Sequence, residues 1–227
     1  MSRRSISFVL AALLWSASGD TAMSPLESAT PVRLPAPQER GGMTLNEALG
    51  TRRSIREYAP APLDLAAAAQ LLWAGQGVTG AGGGRTAPSA GALYPLELHL
   101  VAGRVTDLAP GVYRYVPARH ELVLVTSGDR RPALTDAALD QEWMATAPAI
   151  IAIAAVEART ARKYGERAER YVDMEVGHAV ENIYLAATAL GLGTCVVGAF
   201  DDGAVARTLG LPPGEAPLGL MPVGRPR

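Results

Sequence analysis

The sequence contains a single cysteine, Cys195, in 227 residues. One thiol excludes an internal disulfide and any zinc or iron–sulfur site that needs several thiolates, and we expect no metal. No apolar run approaches the roughly 20 residues that cross a bilayer, so we expect no stable membrane span. The 21 Lys and Arg residues are balanced by 22 Asp and Glu residues. Because nucleic-acid binders carry a basic surplus to neutralise phosphates, this balance argues against a nucleic-acid partner.

The chain is rich in apolar residues and poor in charge. Hydrophobic residues make up 48% of it and charged residues 19%. This composition excludes wholesale disorder. The length suits one large domain or two small ones and is enough to bury a sizeable core. The sequence therefore predicts a globular protein, although its first 43 residues differ in composition from the rest.

Residues 1–23 have the composition of a candidate export signal. Arg3 and Arg4 precede a short apolar stretch, 8–15, which is followed by small residues. This order is typical of a secretory signal, and the arginine pair also fits the twin-arginine type. The apolar stretch is short, however, and an amphipathic terminus without a targeting role would show the same order of residues. Export and a cytoplasmic location therefore both stay open.

Residues 24–43 form a second region of distinct composition. They contain four prolines, end close to Gly41-Gly42 and show no apolar period. This pattern predicts a linker. We expect a single compact domain over residues 44–227.

Within that domain, hydrophobic periodicity predicts alternating helices and strands. Turn residues at 117–120 predict a hairpin, which argues against an all-parallel sheet. We expect an α+β fold in which helices sandwich a mixed, mainly antiparallel sheet, with a long central helix. The predicted helices cover 44–52, 65–75, 171–190 and 202–209, and the predicted strands cover 96–102, 112–116, 121–126, 149–156, 194–197 (in the centre of the sheet) and 218–223.

Common catalytic signatures fail because of their surroundings. Residues 75–80 match G-x-G-x-x-G, but a dinucleotide fold needs a strand before this motif and a helix after it. Pro88 and Pro95 flank Ser89 and disfavour the strand-to-helix turn of a hydrolase nucleophile. The three histidines lack the helical pairing of a zinc site. Cys195, in an apolar stretch, is typical of a small core residue.

A cluster of cations and a hydroxyl stands out at the end of the first predicted helix. Arg52, Arg53 and Arg56 surround Ser54 within five residues. Arg52 and Arg56 would repel each other on one helix face unless an anion with several oxygens bound between them. The hydroxyl of Ser54 could add a hydrogen bond to a phosphate. The same arginines could instead be solvated groups that interact with the helix dipole.

Four motifs follow one another along the predicted domain. They are Arg52–Arg56, the loop Pro88-Ser-Ala-Gly-Ala-Leu-Tyr-Pro95, the end of the long helix through Gly191–Asp201, and the terminal Pro222–Arg227. Their order over about 44–227 resembles the FMN-dependent nitroreductase family. The form of the second motif and the stretch Arg162-Lys163-Tyr164-Gly165 are similar to the SagB-type dehydrogenase branch of that family.

This resemblance implies a nitroreductase-like fold and FMN as the cofactor. It assigns the FMN phosphate and the flavin ring to the arginine cluster and to one of two C-terminal arginines. It also implies that the Pro-Ser loop lines the ring edge, and that a backbone N–H, that of Gly198 in our register, reaches flavin N5. The implied cofactor-binding residues are Arg52, Arg53, Ser54, Arg56, Pro88, Ser89, Ala90, Val197, Gly198, Arg225 and Arg227.

The resemblance also implies an activity and its partners. Members of the family are oxidoreductases that exchange hydride with a small organic substrate, often with NAD(P)H, and are typically homodimers. In azoline-forming members of the SagB-type branch a Lys-Tyr pair abstracts a proton, which assigns that role to Lys163 and Tyr164. A solvated charged loop is the competing interpretation of these two residues. A non-catalytic flavin-binding or redox-sensing protein and a generic anion-binding domain also stay open.

Overall fold

The computed structural model describes residues 30–40, 42–139 and 141–227. The predicted export signal at 1–23 lies outside these residues. The described chain contains nine strands and six α-helices, together with short 3-10 turns. The strands are β1 (Val32–Arg33), β2 (Val78–Thr79), β3 (Gly84–Arg85), β4 (Leu96–Ala102), β5 (Gly111–Val116), β6 (Glu121–Ser127), β7 (Ala149–Ala155), β8 (Gly193–Thr194) and β9 (Ala216–Gly224). The helices are α1 (Leu45–Thr51), α2 (Leu65–Gln76), α3 (Arg131–Ala137), α4 (Ala158–Tyr164), α5 (Ala168–Ala189) and α6 (Asp202–Leu209).

Seven of the strands form one sheet in the order β1-β6-β5-β4-β7-β9-β8, and every pair of neighbours runs antiparallel. The predicted hairpin is the β5–β6 pair, with Val116 opposite Glu121. Strands β2 and β3 form a separate two-stranded ribbon. The arrangement is the expected α+β fold, in which helices cover a mainly antiparallel sheet.

Strand β7 shows why helices cover both faces of the sheet. All seven of its residues are buried. Ile151 and Ile153 pack into one core with Leu72 of α2 and Ile183 of α5. The alternate residue Ile150 packs into a second core, which also holds Leu134 of α3 together with Val205 and Leu209 of α6. Because successive side chains of a strand point to opposite faces, a continuous apolar run fills both layers.

The structure corrects the predicted central strand at 194–197. Strand β8 ends at Thr194 and lies at the edge of the sheet, where it pairs with β9 and where Ser54 forms an isolated bridge with Thr194. The chain then leaves β9, because the backbone N–H of Val196 donates to the side chain of Tyr184 instead of to a strand. Val197 returns to β9 through an isolated bridge to Leu220.

Two helices were not predicted, and both lack an apolar period. Helix α3 begins at Arg131-Pro132, where the proline suits the first turn of a helix. Helix α4 has three cations among its seven residues and buries only Thr160. Lys163 and Tyr164 therefore lie in a helix, and not in the charged loop that was the competing interpretation of these two residues.

Part of the predicted linker lies on the domain. Val32 and Arg33 pair with Leu122 and Glu121 of β6, and the side chain of Leu34 is buried. The division of the chain at residue 44 stays a prediction. Within the residues that the structure describes, we find no helix that combines the length and the hydropathy needed to cross a bilayer.

Candidate functional site

The arginine cluster lies where the chain leaves α1. Thr44 caps this helix with its hydroxyl, and the helix ends at Arg52, whose backbone is extended. Arg52 and Arg56 therefore do not share one helix. The next residues run beside β8, where the backbone N–H of Ile55 donates to the carbonyl of Thr194 at 2.9 Å. This close approach requires Gly193, because a Cβ there would lie 2.6 Å from the Cβ of Ile55.

The three guanidinium groups of the cluster have different neighbours. The Nε of Arg52 lies 3.7 Å from a carboxylate oxygen of Glu181. The guanidinium carbon of Arg52 lies over the ring of Tyr184, 5.2 Å from its centre. Arg56 lies 5.9 Å from the ring centre of Trp143. Arg53 instead donates to the backbone carbonyls of Gly50 and Arg52. Arg52 and Arg56 are therefore better candidates than Arg53 for binding an external anion.

The C-terminal arginines lie next to this cluster. The backbone N–H of Ala59 donates to the carbonyl of Arg225 at 2.9 Å, and that of Arg227 donates to Glu57 at 3.2 Å. The hydroxyl of Tyr58 fixes the pairing by donating to the carbonyls of Ile55 and Pro222. Burial raises the pKa of the Tyr58 hydroxyl, with smaller contributions from Cys195 and Tyr184. The fold thus brings together two basic segments that are about 170 residues apart in the sequence.

Tyr184 of α5 connects the arginine cluster to the chain that follows β8. Its hydroxyl accepts a hydrogen bond from the backbone N–H of Val196 at 2.8 Å and lies 3.3 Å from the hydroxyl of Ser54. The side chain is only 6% exposed. Tyr184 could not be identified from the sequence, because a tyrosine among the regularly spaced apolar residues of a long helix is typical of the core.

Gly198 follows directly after a fixed backbone position. Val197 is buried and exchanges both backbone hydrogen bonds with Leu220, at 2.8 and 3.0 Å. Gly198 itself is exposed, and a Cβ placed on it would have no atom within 4 Å. A planar ligand could therefore approach this backbone without a steric obstacle.

The Pro-Ser loop, Pro88–Pro95, has an unusual backbone. Gly91, Ala92 and Tyr94 all have positive φ angles, of +63°, +53° and +48°. For residues with a Cβ such angles are strained and need support from the surrounding structure. Part of that support is internal, because the hydroxyl of Ser89 accepts a hydrogen bond from the backbone N–H of Tyr94 at 2.9 Å.

Glu175 of α5 lies under this loop with its side chain almost fully buried. Its Oε1 accepts a hydrogen bond from the backbone N–H of Ala90 at 2.9 Å. Burial raises the pKa of the Glu175 carboxyl, although the hydrogen bonds from Ala90 and from the side chain of Ser89 act in the opposite direction. The signal in the sequence was a glutamate at the apolar spacing set by Val172, Ala179 and Ile183, where a charge needs a partner.

Lys163 and Tyr164 lie against the Pro-Ser loop from the other side. A Cβ on Gly91 would stand 2.9 Å from Nζ of Lys163 and 3.0 Å from the hydroxyl of Tyr164. The ring of Tyr164 packs edge-on against Tyr171 of α5 with 4.9 Å between centres. The two predicted catalytic residues and the predicted ring-edge loop are therefore in contact.

One face of α5 connects these groups. Tyr171, Met174, His178 and Glu181 follow one another at spacings of three and four residues, so they share a face. Tyr171 contacts Tyr164 at one end of this face, and Glu181 meets Arg52 at the other, roughly 15 Å along the helix axis. A cavity of about 270 Å³ lies between them and is lined by Met174, Glu175 and His178 and by Pro88–Ala90.

No group of three or more His, Cys, Asp and Glu side chains suited to a metal ion occurs in residues 30–40, 42–139 and 141–227. The candidate site consists instead of cations, hydroxyl groups and exposed backbone. This donor set favours an anionic organic ligand.

Comparison with known proteins gives a consistent result. The Nitroreductase family matches residues 49–225. A candidate nitroreductase of Methanocaldococcus jannaschii is 46% identical over 194 residues, which cover 86% of this chain and 96% of that protein. The crystal structure of a candidate nitroreductase from Ralstonia eutropha has a TM-score of 0.77 at 30% identity and covers 87% of this chain and 90% of its own.

A more distant structure shares the fold alone. The NADPH:FMN oxidoreductase of Vibrio harveyi, crystallised with NAD⁺, is 21% identical to this chain with a TM-score of 0.58. The similarity covers 80% of this chain and 68% of that one.

Proposed function

Because the chain belongs to the nitroreductase family, we propose that it is an FMN-dependent oxidoreductase that exchanges hydride with a small organic substrate. Bound FMN would supply a two-electron carrier that accepts and releases hydride at N5. The chain itself must bind the phosphate, leave one flavin face open and handle the substrate proton. The residues described above support each of these tasks.

The pairing of the C-terminal segment with Glu57–Ala59 is the observation that carries this proposal. It adds Arg225 and Arg227 to the cations of the Arg52–Arg56 segment. A phosphate with two negative charges and three free oxygens matches such a set of guanidinium groups and the hydroxyl of Ser54. We assign phosphate binding to Arg52, Ser54, Arg56 and one of the C-terminal arginines.

The open backbone at Gly198 fits the flavin ring. Its surroundings leave space for a planar group, and the buried Val197 fixes the position of the preceding peptide. We assign the contact with flavin N5 to the backbone N–H of Gly198, and the ring edge to Pro88, Ser89 and Ala90. A glycine suits this position because the ring can then approach the main chain.

We assign substrate chemistry to Lys163 and Tyr164, as in the SagB-type branch. Both side chains contact Gly91 of the Pro-Ser loop. In the oxidation of an azoline, Nζ of Lys163 would accept the proton from the ring carbon. Nitroaromatic compounds and quinones are the alternative substrates. For their reduction, NAD(P)H would be the hydride donor.

We propose a homodimer as the functional unit. Leu45 and Leu49 stand one turn apart on α1 and are 63% and 53% exposed. Met43, just before α1, and Val196, just after β8, are also exposed. Exposed apolar residues that cluster beside a site are typical of an interface with another subunit. Sedimentation of the purified protein tests this proposal.

The decisive experiment is a visible spectrum of the purified protein followed by anaerobic titration with NADH or NADPH. We expect the absorbance of a bound flavin that bleaches when the reduced nicotinamide is added. A bound flavin that neither NAD(P)H nor an azoline substrate reduces would favour a non-catalytic, storage or sensing role. A protein that stays colourless after FMN is offered would overturn the assignment of the cofactor.

A further inference from the structure

We propose that Glu175 is a positioning residue, whose buried carboxylate holds the strained Pro-Ser loop at the distance from α4 that Lys163 and Tyr164 require. Its role in orienting those two side chains rests on the proposed function. Its hold on the loop is a property of the chain alone, and it can be measured without cofactor.

The loop carries conformational strain that must be balanced by external contacts. Ala92 and Tyr94 have left-handed backbone angles, which cost of order 1–3 kcal/mol each for residues other than glycine. Inside the loop, only the hydrogen bonds to the hydroxyl and the carbonyl of Ser89 oppose this strain among the contacts found in the described chain. Contacts from outside the loop are therefore needed to keep one conformation.

Two charged side chains form hydrogen bonds at opposite ends of the loop. The guanidinium of Arg85, 4.5 Å from the ring centre of Tyr94, and the backbone N–H of Val156, which donates to the carbonyl of Pro95 at 2.9 Å, add further contacts at the end of the loop. Glu175 accepts the N–H of Ala90 at the beginning, at 2.9 Å. Arg159 of α4 donates to the carbonyl of Tyr94 at the end, at 3.0 Å, and is itself paired with Glu97 of β4. Hydrogen bonds to charged groups are about twice as strong as neutral ones.

These two contacts fix the loop relative to the helices that carry the site. Arg159 stands one turn before Lys163 on α4, so it ties that helix to the end of the loop. Glu175 ties the beginning of the loop to α5. Gly91 lies between the two ties and contacts both Lys163 and Tyr164. A shift of the loop at Ala90 would therefore change the position of the surface on which both catalytic candidates rest.

The position of Glu175 is not explained by packing alone. The residue is 3% exposed, yet its carboxylate has no cationic partner within ion-pair distance among the described residues. Burying an unpaired carboxylate costs free energy unless hydrogen bonds replace the water that it loses. The hydrogen bond from the backbone N–H of Ala90 compensates for part of this cost and holds the loop.

Hydrogen exchange of the cofactor-free protein tests the proposal. We expect amides of a peptide spanning residues 87–95 to exchange at least about tenfold faster in Glu175→Ala than in the parent protein. Glu175→Gln keeps an acceptor oxygen for Ala90 and should give an intermediate rate. Asp173→Asn is the matched control, since it removes an exposed carboxylate two residues away on the same helix and should change nothing in this peptide.

The pH profile separates a role of the charge from a role of shape. Burial raises the pKa of the Glu175 carboxyl in the closed loop above that of the solvated carboxyl in an opened loop, so protonation favours the closed loop. In the parent protein, protection of the loop should therefore rise as pH drops and the Glu175 carboxylate takes up a proton. His178 on the same helix and Arg85 of β3 are the charged or titratable groups that face this carboxylate. In Glu175→Gln the profile should be flat. A slope that persists in this variant would assign the effect to His178 and overturn the role of the carboxylate.

Flavin occupancy and turnover distinguish this inference from the proposed function. We expect Glu175→Gln to retain bound flavin and the parent KM while kcat falls severalfold. Parent exchange rates in Glu175→Ala would overturn the positioning role, even if flavin binds and turns over. Faster exchange in a protein that binds no flavin would support the positioning role and reject the cofactor. If Glu175→Ala does not fold, the intermediate rate and flat profile of Glu175→Gln decide.

Discussion

The hydroxyl of Tyr184 accepts the backbone N–H of Val196 at 2.8 Å and lies 3.3 Å from the hydroxyl of Ser54. One phenol on the long helix thus links the arginine cluster to the chain just before Gly198. This side chain therefore holds two parts of the proposed flavin site that are far apart in sequence at a fixed separation.

Replacing Tyr184 by phenylalanine should weaken both the fold and the cofactor site. The change leaves the N–H of Val196 without its partner, which we expect to lower the free energy of unfolding by about 1–2 kcal/mol. Urea denaturation measures this loss, and titration with FMN measures binding. Tyr113→Phe is the matched control, because its hydroxyl donates to the carbonyl of Ala109 away from the site. The control should lose stability without losing affinity for FMN.

Removing single arginines should reduce the affinity for FMN. A hydrogen bond between charged groups contributes roughly 1.5–3 kcal/mol, so Arg52→Ala and Arg56→Ala should each raise the dissociation constant about tenfold or more. Quenching of flavin fluorescence measures this constant at low and high salt. Arg33→Ala removes an exposed arginine at the far edge of the sheet and should have no effect. Unchanged affinity in all three variants would show that the cluster is only a solvated helix end.

Lys163 should be needed for substrate oxidation and not for binding of the cofactor. Lys163→Met keeps most of the aliphatic contact with Gly91 but removes the amine, so it should retain flavin while kcat for a substrate with an acidic C–H falls at least about a hundredfold. Stopped-flow spectra of flavin reduction by that substrate measure the loss. Arg170→Ala, an exposed cation at the start of α5, serves as the control. Equal rates in the two variants would remove Lys163 from the mechanism.

A methyl group at Gly91 should disturb the contact of the Pro-Ser loop with Lys163 and Tyr164 from the side of the loop. Gly91→Ala adds a methyl group at φ +63° that meets Nζ of Lys163 and the hydroxyl of Tyr164. We expect a loss of about 1–2 kcal/mol in stability together with a lower turnover. Gly128→Ala has a similar backbone angle, of +87°, but its Cβ would meet no atom within 4 Å. It should lose stability to a similar extent and keep its turnover.

The sequence was sufficient for most of the fold but for only part of the site. Turn residues and periodicity are local signals, so the hairpin β5–β6 and the helix α5 could be predicted. The edge position of β8 could not, because it depends on the bond from Val196 to Tyr184. Motifs identified the two basic segments. The role of Glu175 could not be identified from the sequence, because its partner Ala90 lies 85 residues away and meets it only in the folded chain. Lys163 was predicted by resemblance, and its helical setting was missed because α4 has no apolar period.

Acid should destabilise the protein through Glu215, a buried carboxylate at the beginning of β9. Burial acts to raise its pKa, but the hydrogen bond and charge of His99, with Arg114 and Arg159, outweigh burial and hold the pKa of the Glu215 carboxyl below its usual range. The unfolded chain therefore takes up this proton first as pH falls below about 4.5. The stabilisation is fully present above that pH and is lost as pH falls through the folded pKa.

Glu215→Gln should remove this part of the acid sensitivity while lowering stability at neutral pH. His99 Nε2 lies 2.7 Å from Glu215, and both side chains are 1% exposed, so the loss of the carboxylate leaves buried donors poorly satisfied at a cost of about 1–3 kcal/mol. Urea unfolding at pH values from 7 to 3 measures both effects, with the exposed Glu166→Gln as the control. A variant whose stability falls with acid as steeply as that of the parent would contradict the role of Glu215, and the loss would then belong to another lowered carboxylate such as Asp129.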